Sequence, residues 1–547
     1  MVCKNVSTII NHTTLNMLKL GRIHLIYFAL SAFFLSKVSS ETFDLSTATI
    51  TDINEAIDAG VLSSEKLVQL YLKRIDAYDK KGPAVNCVIH IDENALELAR
   101  ELDIERIEKG RRSPIHGIPI LLKDLIDVAG QPTTGGFVPL GAPIPDRNAT
   151  IVTRMQEAGG IILGKVSTSN WFGNDFDETH PIGASKNPYN LEYSPGGSSN
   201  GSGVAMAAYF ATLAIGTDTS VSVQNPSANC SLVGMVGTYG MVSRSGIIPR
   251  GATQDRPGPM GRSVFDVATL FSVISGWDAE DFTTFNPIGH FPMSDWAEEL
   301  SKDSLVGKRI GVLREMIPVA DEYKEALSIF DEALIDLRKA GAFIVDPILT
   351  GNPTIADDTS QPRLRTAEYE KIHYTNAYLA RLGAKAPFKN VADWMEAVGE
   401  DKFTQRMVDA MSLESPDKSL DYQARYRTRK MYIALIEELF ERYDLDAIAQ
   451  PFQVAPAPRL DRKRGPSREW WIASPATNNL SSSLGFPAVV VPGGYTQAEG
   501  LPIAIQFMGK RFTDLEVLKV AHGYEQTTMK RKTPASTPRL NGEIIKY

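Results

Sequence analysis

The sequence predicts an α/β fold built on a mixed β-sheet, and its hydrophobic pattern indicates this in two ways. Residues 51–110 carry apolar side chains at helical spacing, whereas from about 116 to 275 short apolar runs alternate with loops rich in Gly, Ser and Pro. Short apolar runs bounded by Gly and Pro return at 485–495 and 501–509. Because segments from both ends of the chain contribute to the sheet, we expect residues 41–547 to form one domain.

Helices are expected before, within and after this sheet. The segments "TDINEAIDAG", "SSEKLVQLYLKRIDAYDKKG" and "ENALELARELDIERIEKG" each have helical spacing and end in Gly, which favours helix termination. The segment "DLEVLKVAHGYEQTT" predicts a further helix near the C-terminus. A stretch from about 363 to 443, rich in charged and aromatic residues, predicts a helical insertion over the core.

Composition and charge limit the class of protein. A chain of 547 residues with 43% hydrophobic residues can bury a large core without disulfides or metals. The net charge of −8 argues against a nucleic-acid partner, which requires a basic surface. The local exception is a basic cluster that is more typical of a solvated loop: Arg462, Lys463, Arg464 and Arg468. No zinc-ligand spacing or dinucleotide-binding motif is present in the sequence, so we expect no metal and no cofactor.

The N-terminus has the pattern of a signal peptide. The apolar run "IHLIYFALSAFFL", 23–35, is shorter than the roughly 20 residues that a membrane-spanning helix needs. Lys19 and Arg22 precede the run, and small residues follow at positions 38 and 40. This pattern predicts a signal peptide over 1–40, entry into the secretory pathway and secretion, with no stable membrane span after cleavage.

The signal-peptide prediction leaves two alternatives open and has two consequences for the rest of the chain. Met17 offers an alternative start, and an uncleaved leader would leave the protein anchored to a membrane. In the secretory pathway the N-x-S/T sequons at Asn148 and Asn479 become candidate glycosylation sites. Cys87 and Cys230 allow one disulfide, although the chain is no disulfide scaffold.

Lys123 is the first candidate for chemistry. It follows an apolar run in "GIPILLKDLID", yet lysine is almost never fully buried unless it is paired. In one interpretation it lies at the end of a strand and extends its amine to water. In the other, burial lowers the pKa of the amine, and the neutral form accepts a proton. The local sequence leaves both interpretations open.

A glycine- and serine-rich segment, "SPGGSSNGSG" at 194–203, is the second candidate. It lacks the Gly-Lys-Ser/Thr ending of a phosphate-binding loop, which leaves a flexible turn as the simplest interpretation. Residues 197–201 match the G-x-S-x-G pattern of α/β-hydrolases, with Ser199 as the nucleophile. That motif must follow a buried strand, and here a polar segment interrupted by proline precedes it, so we disfavour this alternative.

The third candidate is "AIGTDTSVSVQNPSANC", 214–230, where a predicted strand leads into a turn rich in serine. A serine hydroxyl is a weak nucleophile until a base takes its proton. No histidine lies between His180 and His290, so a histidine base from this block is excluded. A lysine that acts through a second hydroxyl group would meet the requirement.

Together these segments resemble the amidase signature family. The family pattern runs G-G-S-S-G-G-S, then G-T-D-x-G-G-S-I-R, then P-x-x-x-C-G-x-x-G, and the chain has "GGSSNGSG", "GTDTSVSVQ" and "PSANCSLVG". The likeness extends from about residue 50 to 530. It implies a mixed sheet covered by helices on both faces, an amide hydrolase activity on a small-molecule carboxamide, and no cofactor.

The resemblance also implies roles for individual residues. The family's Ser-Ser-Lys triad corresponds to Ser222 as the acylated nucleophile, Ser198 as the bridging serine and Lys123 as the base. In the family the bridging serine follows a cis peptide bond, here from Gly197. Phe172, in "NWFGND", corresponds to a residue that lines the substrate pocket, although packing in the core is an alternative.

The turn that carries the nucleophile departs from the family pattern. The resemblance places the oxyanion hole on backbone N–H groups of Thr219, Ser220, Val221 and Ser222. Ser220 and Val221 replace the family's glycine pair, and Gln224 replaces its arginine. A β-branched residue with positive φ costs roughly 1–3 kcal/mol. Val221 must therefore have negative φ, or the oxyanion hole is reshaped; Ser220 also adds a rival hydroxyl group.

Three functions remain after this comparison. The first is amide hydrolysis through an acyl-enzyme on Ser222. The second is an acyltransferase or amide-forming enzyme on the same scaffold, in which an amine or alcohol intercepts the acyl group. The third is a catalytically weakened protein that binds a ligand, which the altered glycine pair favours. The tRNA-dependent amidotransferase branch is disfavoured by the leader and the acidic charge.

Overall fold

The computed structural model describes residues 42–173, 178–359, 361–461 and 478–547. The predicted signal peptide and the basic cluster at 462–468 lie outside these ranges, so both stay predictions. The described residues fall into two compact units. In the smaller unit, residues 42–45 and 541–547, strand β1 (Thr42–Asp44) pairs antiparallel with β13 (Ile544–Lys546). The larger unit comprises 46–540; one domain over 41–547 stays a prediction.

An eleven-stranded sheet forms the centre of the larger unit. Its strands are β2 (Val88–Ile91), β3 (Pro119–Lys123), β4 (Ile161–Val166), β5 (Leu213–Asp218), β6 (Val233–Val236), β7 (Arg256–Gly261), β8 (Arg309–Val312), β9 (Phe343–Val345), β10 (Ala447–Pro451), β11 (Ala488–Tyr495) and β12 (Pro502–Met508). The spatial order is β2-β4-β3-β5-β7-β6-β11-β12-β10-β8-β9. Strands β4, β3 and β5 run parallel, as do β10, β8 and β9, and the remaining neighbours are antiparallel. The predicted mixed α/β sheet is confirmed.

The larger unit also contains helices, several of which pack against this sheet. The helices are α1 (Ile50–Asp58), α2 (Ser64–Tyr78), α3 (Ala95–Lys109), α4 (Thr150–Glu157), α5 (Asn200–Ala207), α6 (Gln224–Asn229), α7 (Val264–Ile274), α8 (Lys324–Lys339), α9 (Ile355–Asp358), α10 (Gln361–Leu364), α11 (Ala367–Leu382), α12 (Val391–Val398), α13 (Gln405–Ala410), α14 (Leu420–Tyr443), α15 (Asn478–Leu484) and α16 (Asp514–Thr528). Within the described ranges, no helix is long and apolar enough to cross a membrane.

The predicted N-terminal helices begin where side chains cap them. Helix α1 starts after Thr49, two residues before the expected start, because the Thr49 hydroxyl accepts a hydrogen bond from the Asp52 N–H at 3.2 Å. The Asp52 carboxylate accepts the Thr49 N–H in return, at 2.8 Å. Helix α2 starts after Ser63, whose hydroxyl accepts the Lys66 N–H at 3.0 Å. These reciprocal bonds satisfy N–H groups that the first helical turn leaves without partners.

The insertion predicted at 363–443 contains helices α11 to α14. Their apolar residues join a buried cluster with residues from the loops after β3 and β4, including Phe137, Trp171, Phe172, Trp394 and Phe403. The insertion is thereby packed against the loop that follows β4, which also approaches the carboxyl end of β3. In a sheet of this kind, the carboxyl ends of adjacent parallel strands are the usual place for a ligand.

Candidate functional site

Lys123 is the last residue of β3, and its side chain is completely buried. Its Nζ lies 2.7 Å from Ser198 Oγ and 2.9 Å from Thr217 Oγ1. A third hydrogen bond joins Nζ to the Thr217 carbonyl oxygen, at 3.3 Å. Burial excludes the interpretation in which the amine extends to water, because all three of its contacts are protein oxygens.

Ser198 is placed by the loop that leads into α5. The peptide bond between Gly197 and Ser198 is cis, as the family resemblance implies. The neighbouring Ser199 accepts the Thr217 N–H at 3.2 Å through its hydroxyl oxygen, which ties this loop to β5. The Ser199 hydroxyl is therefore engaged with the backbone of β5, and the G-x-S-x-G interpretation stays disfavoured.

The surroundings of Lys123 disfavour its charged form. Burial lowers the pKa of the Lys123 amine well below its usual value, the Asp218 carboxylate opposes this change, and the Arg250 guanidinium adds to it. The Lys123 Nζ also lies 5.1 Å from the centre of the Trp171 ring. A lysine in such a setting holds an unprotonated amine at a pH where an exposed lysine is charged.

Ser222 lies in the turn between β5 and α6. Its carbonyl oxygen accepts the Ser199 N–H at 3.2 Å, which holds the turn against the loop that carries Ser198. The exposed fractions are 9% for Ser222 and 8% for Ser198, so both residues retain some access to solvent. Within the part of the chain that the structure describes, the Ser222 hydroxyl forms no hydrogen bond, and it is not bonded to Ser198.

The turn has the backbone that the sequence required. Neither Ser220 nor Val221 has positive φ, so Val221 occupies its position without the strain expected for a β-branched residue. The Val221 side chain is buried in a cluster with Ala228, Phe452, Val490 and Ala504, whose members come from α6, β11, β12 and the segment after β10. The loss of the glycine pair is therefore compensated by packing.

The same turn leaves donors available. Among the described residues, the backbone N–H groups of Val221 and Ser222 donate no hydrogen bond. Thr219 is fixed through its hydroxyl, which donates to Asp255 Oδ1 at 2.6 Å, and through its carbonyl, which accepts Gln254 Nε2 at 3.3 Å. Unused N–H groups beside a serine are what an oxyanion requires.

The family model described as Amidase matches residues 66–518. The chain belongs to the amidase signature family. Enzymes of this family hydrolyse amide C–N bonds, and the predicted fold and enzyme class are thus confirmed.

Individual relatives agree with this assignment. The Arabidopsis thaliana protein named "Probable amidase At4g34880" is 31% identical over 518 residues, which cover 90% of this chain and 93% of that protein. A glutamyl-tRNA(Gln) amidotransferase component from Geobacter metallireducens is 31% identical over 498 residues, which cover 89% of this chain and 98% of that protein. The solved native peptide amidase from Stenotrophomonas maltophilia is 32% identical with a TM-score of 0.78, and the match covers 89% of this chain and 98% of that chain.

Phe172 packs among the aromatic residues that the insertion covers. It is buried in the aromatic cluster under the insertion, with its ring centre 4.8 Å from that of Trp394 and 5.9 Å from that of Phe137. This position corresponds to the packing alternative. A contact between Phe172 and substrate stays a prediction.

The sequence did not single out three residues that surround the amine of the amidase. Thr217 and Asp218 belong to the G-T-D motif, and Trp171 precedes Phe172, so each is adjacent to a residue that the motifs had identified. Thr217 and Trp171 also line a cavity of about 310 Å³ together with Asp255. Which neighbours of a motif contact the base depends on strand pairing, and the local sequence does not reveal that pairing.

Proposed function

We propose that this chain hydrolyses a small or medium carboxamide through an acyl-enzyme on Ser222, with Ser198 and Lys123 as the path of the proton. The observation that carries the proposal is the 2.7 Å contact between Lys123 Nζ and Ser198 Oγ in a fully buried setting. Burial supplies the neutral amine that a base must have. Ser198 supplies the hydroxyl group that can pass a proton to it.

The first step forms a bond between Ser222 Oγ and the amide carbonyl carbon. Ser222 gives its proton to Ser198 Oγ as Ser198 gives its own proton to Lys123 Nζ. Two N–H bonds of the neutral amine point to the Thr217 oxygens, at 2.9 and 3.3 Å, which leaves the nitrogen lone pair for Ser198. The Ser222 hydroxyl has no competing hydrogen bond within the described ranges, so it is available for this transfer.

The N–H groups of Val221 and Ser222 stabilise the oxyanion of the tetrahedral intermediate. Each preorganised donor contributes about 10²–10³ in rate. The intermediate then collapses, the C–N bond breaks, and the proton on Lys123 returns through Ser198 to the departing nitrogen. Water attacks the resulting ester, the same path accepts its proton, and the carboxylic acid leaves with Ser222 restored.

A fluorophosphonate probe tests the nucleophile directly. We expect the purified mature chain to form one adduct on Ser222, mapped by mass spectrometry, and to lose it in Ser222→Ala. Ser220→Ala is the matched control, because it removes the rival hydroxyl group two positions away and is expected to keep the adduct. An adduct on Ser220, or none on correctly folded protein, would overturn the proposal.

Amide substrates separate hydrolysis from acyl transfer. Because a solved relative is a peptide amidase, peptide amides and simple carboxamides form a suitable panel, with ammonia release as the measurement. Hydroxylamine is then added as an acceptor. Hydrolysis predicts free acid as the main product without the acceptor. A product formed only when an acceptor amine is present would favour the acyltransferase alternative.

A further inference from the structure

Asp218 is a buried acid at the end of β5, where the strand enters the turn of the nucleophile. Its Oδ2 accepts the Val223 N–H at 3.0 Å and Gln224 Nε2 at 3.3 Å. Its Oδ1 accepts the Ser482 hydroxyl at 2.8 Å. The carboxylate thus ties the start of the turn to the residues that end it, and to Ser482 in α15.

Gln224 is the last member of a chain of buried amides that ends on this carboxylate. Gln450 donates to the Gln506 side-chain oxygen, and Gln506 donates to the Gln224 side-chain oxygen. Gln224 Nε2 then donates to Asp218 and, at 3.0 Å, to Ser482 Oγ. All three glutamines are completely buried. Because each amide directs its donor toward Asp218, the dipoles stabilise the carboxylate without adding a charge.

Among the described residues, no cation forms an ion pair with Asp218, and the groups that donate hydrogen bonds to it are all neutral. Arg256 lies opposite Asp218 in the β5–β7 pairing, yet its guanidinium donates to the carbonyl oxygens of Gly237 and Phe486, at 2.8 and 2.7 Å. Gln224 also occupies the motif position where the family pattern has arginine. Position 224 therefore brings no positive charge to the carboxylate.

Charged groups face Lys123 from several elements. Asp218 directly follows Thr217 in β5, and the two Thr217 oxygens lie 2.9 and 3.3 Å from Lys123 Nζ. Arg250, in the segment before β7, lies over the same Trp171 ring as Lys123, each 5.1 Å from the ring centre. Asp255, in that same segment, lines the cavity that Thr217 also lines. Asp255 is held by the Thr219 hydroxyl and, at 2.7 and 2.9 Å, by the N–H groups of Arg250 and Gly251. Burial is the main cause that lowers the pKa of Lys123, Asp218 opposes it most strongly, and Arg250 and Asp255 act in opposite directions.

We propose that Gln224 is a positioning residue that fixes the Asp218 carboxylate without bringing a positive charge to it, so that Asp218 raises the pH at which the Lys123 amine becomes an active base. The inference rests on the proposed function, because it assigns Lys123 as the base. A cation at position 224 would cancel the field of Asp218, whereas the neutral amide keeps it. Glutamine at position 224, in place of arginine, therefore shifts the pH range in which Lys123 acts as a base to higher pH.

The test measures the pH dependence of fluorophosphonate labelling of Ser222 in the full mature chain. Gln224→Arg adds a positive charge at the site, and Gln224→Glu adds a negative one. A unit charge about 10 Å away at an effective dielectric constant of about 20 shifts a pKa by about one unit. The acid limb is the pH range in which the labelling rate falls as the pH is lowered, because Lys123 becomes protonated. We expect it to move about one pH unit lower in Gln224→Arg and about one unit higher in Gln224→Glu.

Asp218→Asn is the second probe and keeps the shape of the side chain. It removes the negative charge, so we expect the acid limb to move to lower pH, in the same direction as in Gln224→Arg. This variant decides the question if a charge at position 224 prevents folding, as judged by thermal unfolding. A role in packing alone would lower the labelling rate without moving the limb in opposite directions for opposite charges.

The outcomes separate this inference from the proposed function. Wild-type protein that takes no label on Ser222 would overturn the proposed function itself. Labelled wild type with an acid limb that stays in place in Asp218→Asn and in the folded position-224 variants would overturn the inference alone. Limbs that shift in the same direction for Gln224→Arg and Gln224→Glu would overturn it as well.

Discussion

Lys123 Nζ lies 2.7 Å from Ser198 Oγ, although the two residues are 75 positions apart in the chain. The contact arises because β3, which ends at Lys123, is the parallel neighbour of β5, and the loop before α5 is bonded to β5 through Ser199. The amine is thereby enclosed by protein oxygens from two segments. The geometry requires no histidine.

Lys123→Arg tests whether the amine acts as a base. Arginine keeps the positive charge and the donors, yet it is not deprotonated in proteins. If Lys123 accepts a proton, labelling of Ser222 should fall by about 10²–10⁴, the usual contribution of a general base. The measurement is the second-order labelling rate constant at pH 7 to 9.

Lys123→Met provides the matched comparison for this loss. Methionine fills a similar volume in a buried site and removes both the charge and the donors. We expect Lys123→Met to label as slowly as Lys123→Arg while unfolding at a temperature equal to or above that of the wild type, because no buried amine remains. Labelling of either variant at the wild-type rate would show that Lys123 is not the base.

Sequence motifs located the chemistry better than they located its surroundings. The positions of Lys123 and Ser198 could be predicted because glycine, serine and lysine stand in a fixed motif order. The same motifs left open whether Lys123 extends to water, since its burial depends on Thr217 and Trp171, which strand pairing brings to it. Phe172 had two interpretations for the same reason: its contacts with Trp394 come from the insertion.

The conformation of Val221 could not be predicted from the motif either. A motif that usually has glycine indicates freedom of φ, but it does not show whether that freedom is used. Here the negative φ of Val221 and its packing against Phe452, Val490 and Ala504 come from residues more than 200 positions away. Long-range packing of this kind has no local signal in the sequence.

Val221→Gly is expected to destabilise the protein and to leave the nucleophile no more reactive. The change removes a buried side chain from the cluster with Phe452 and Val490 and loosens the turn. Together these effects should lower the free energy of unfolding by about 2–4 kcal/mol. The measurement is the denaturant midpoint, with labelling of Ser222 as the second readout.

Ser220→Gly is the control for this variant. Ser220 is only half-buried and is not part of the cluster, so its change should cost less stability than Val221→Gly. The double replacement restores the family's glycine pair. A double variant that is as stable as wild type and labels faster would contradict the conclusion that packing compensates for the missing glycines.

Glu525→Gln should stabilise the protein at pH 8 and have little effect at pH 4.5. Burial raises the pKa of Glu525 to about 8, and the N–H of Val264 opposes this change. A carboxyl whose pKa is raised on folding contributes stability below its unfolded pKa of about 4.3, and this contribution is lost as the pH rises to about 8. Glutamine does not ionise, so the melting temperature of the variant should exceed that of wild type increasingly over this range.

Glu516, on the same helix α16, provides a control of opposite sign. Burial raises its pKa, but Lys308 and Lys519 outweigh this and hold it below the usual value. Such a group contributes stability above its unfolded pKa and loses it on acidification. Glu516→Gln should therefore lower the melting temperature at pH 8 and have less effect at pH 4. The same sign for both variants at pH 8 would refute the assignment.

Lys371→Met should remove a contribution to stability that grows between pH 7 and pH 10. Lys371 is buried on α11, and its Nζ donates to the Trp171 carbonyl oxygen at 3.3 Å. Burial lowers the pKa of its amine to about 7, and Arg250 adds to this. In the unfolded chain this lysine has a pKa of about 10.4 and binds more protons in this range, so its contribution to stability rises with pH. Melting temperatures of wild type and variant at pH 7, 8 and 9 test this difference.

Lys418→Met, at an exposed lysine of the same insertion, is expected to keep the wild-type pH dependence. A Lys371→Met protein whose melting temperature runs parallel to that of wild type across this range would show that this amine is charged in the folded state.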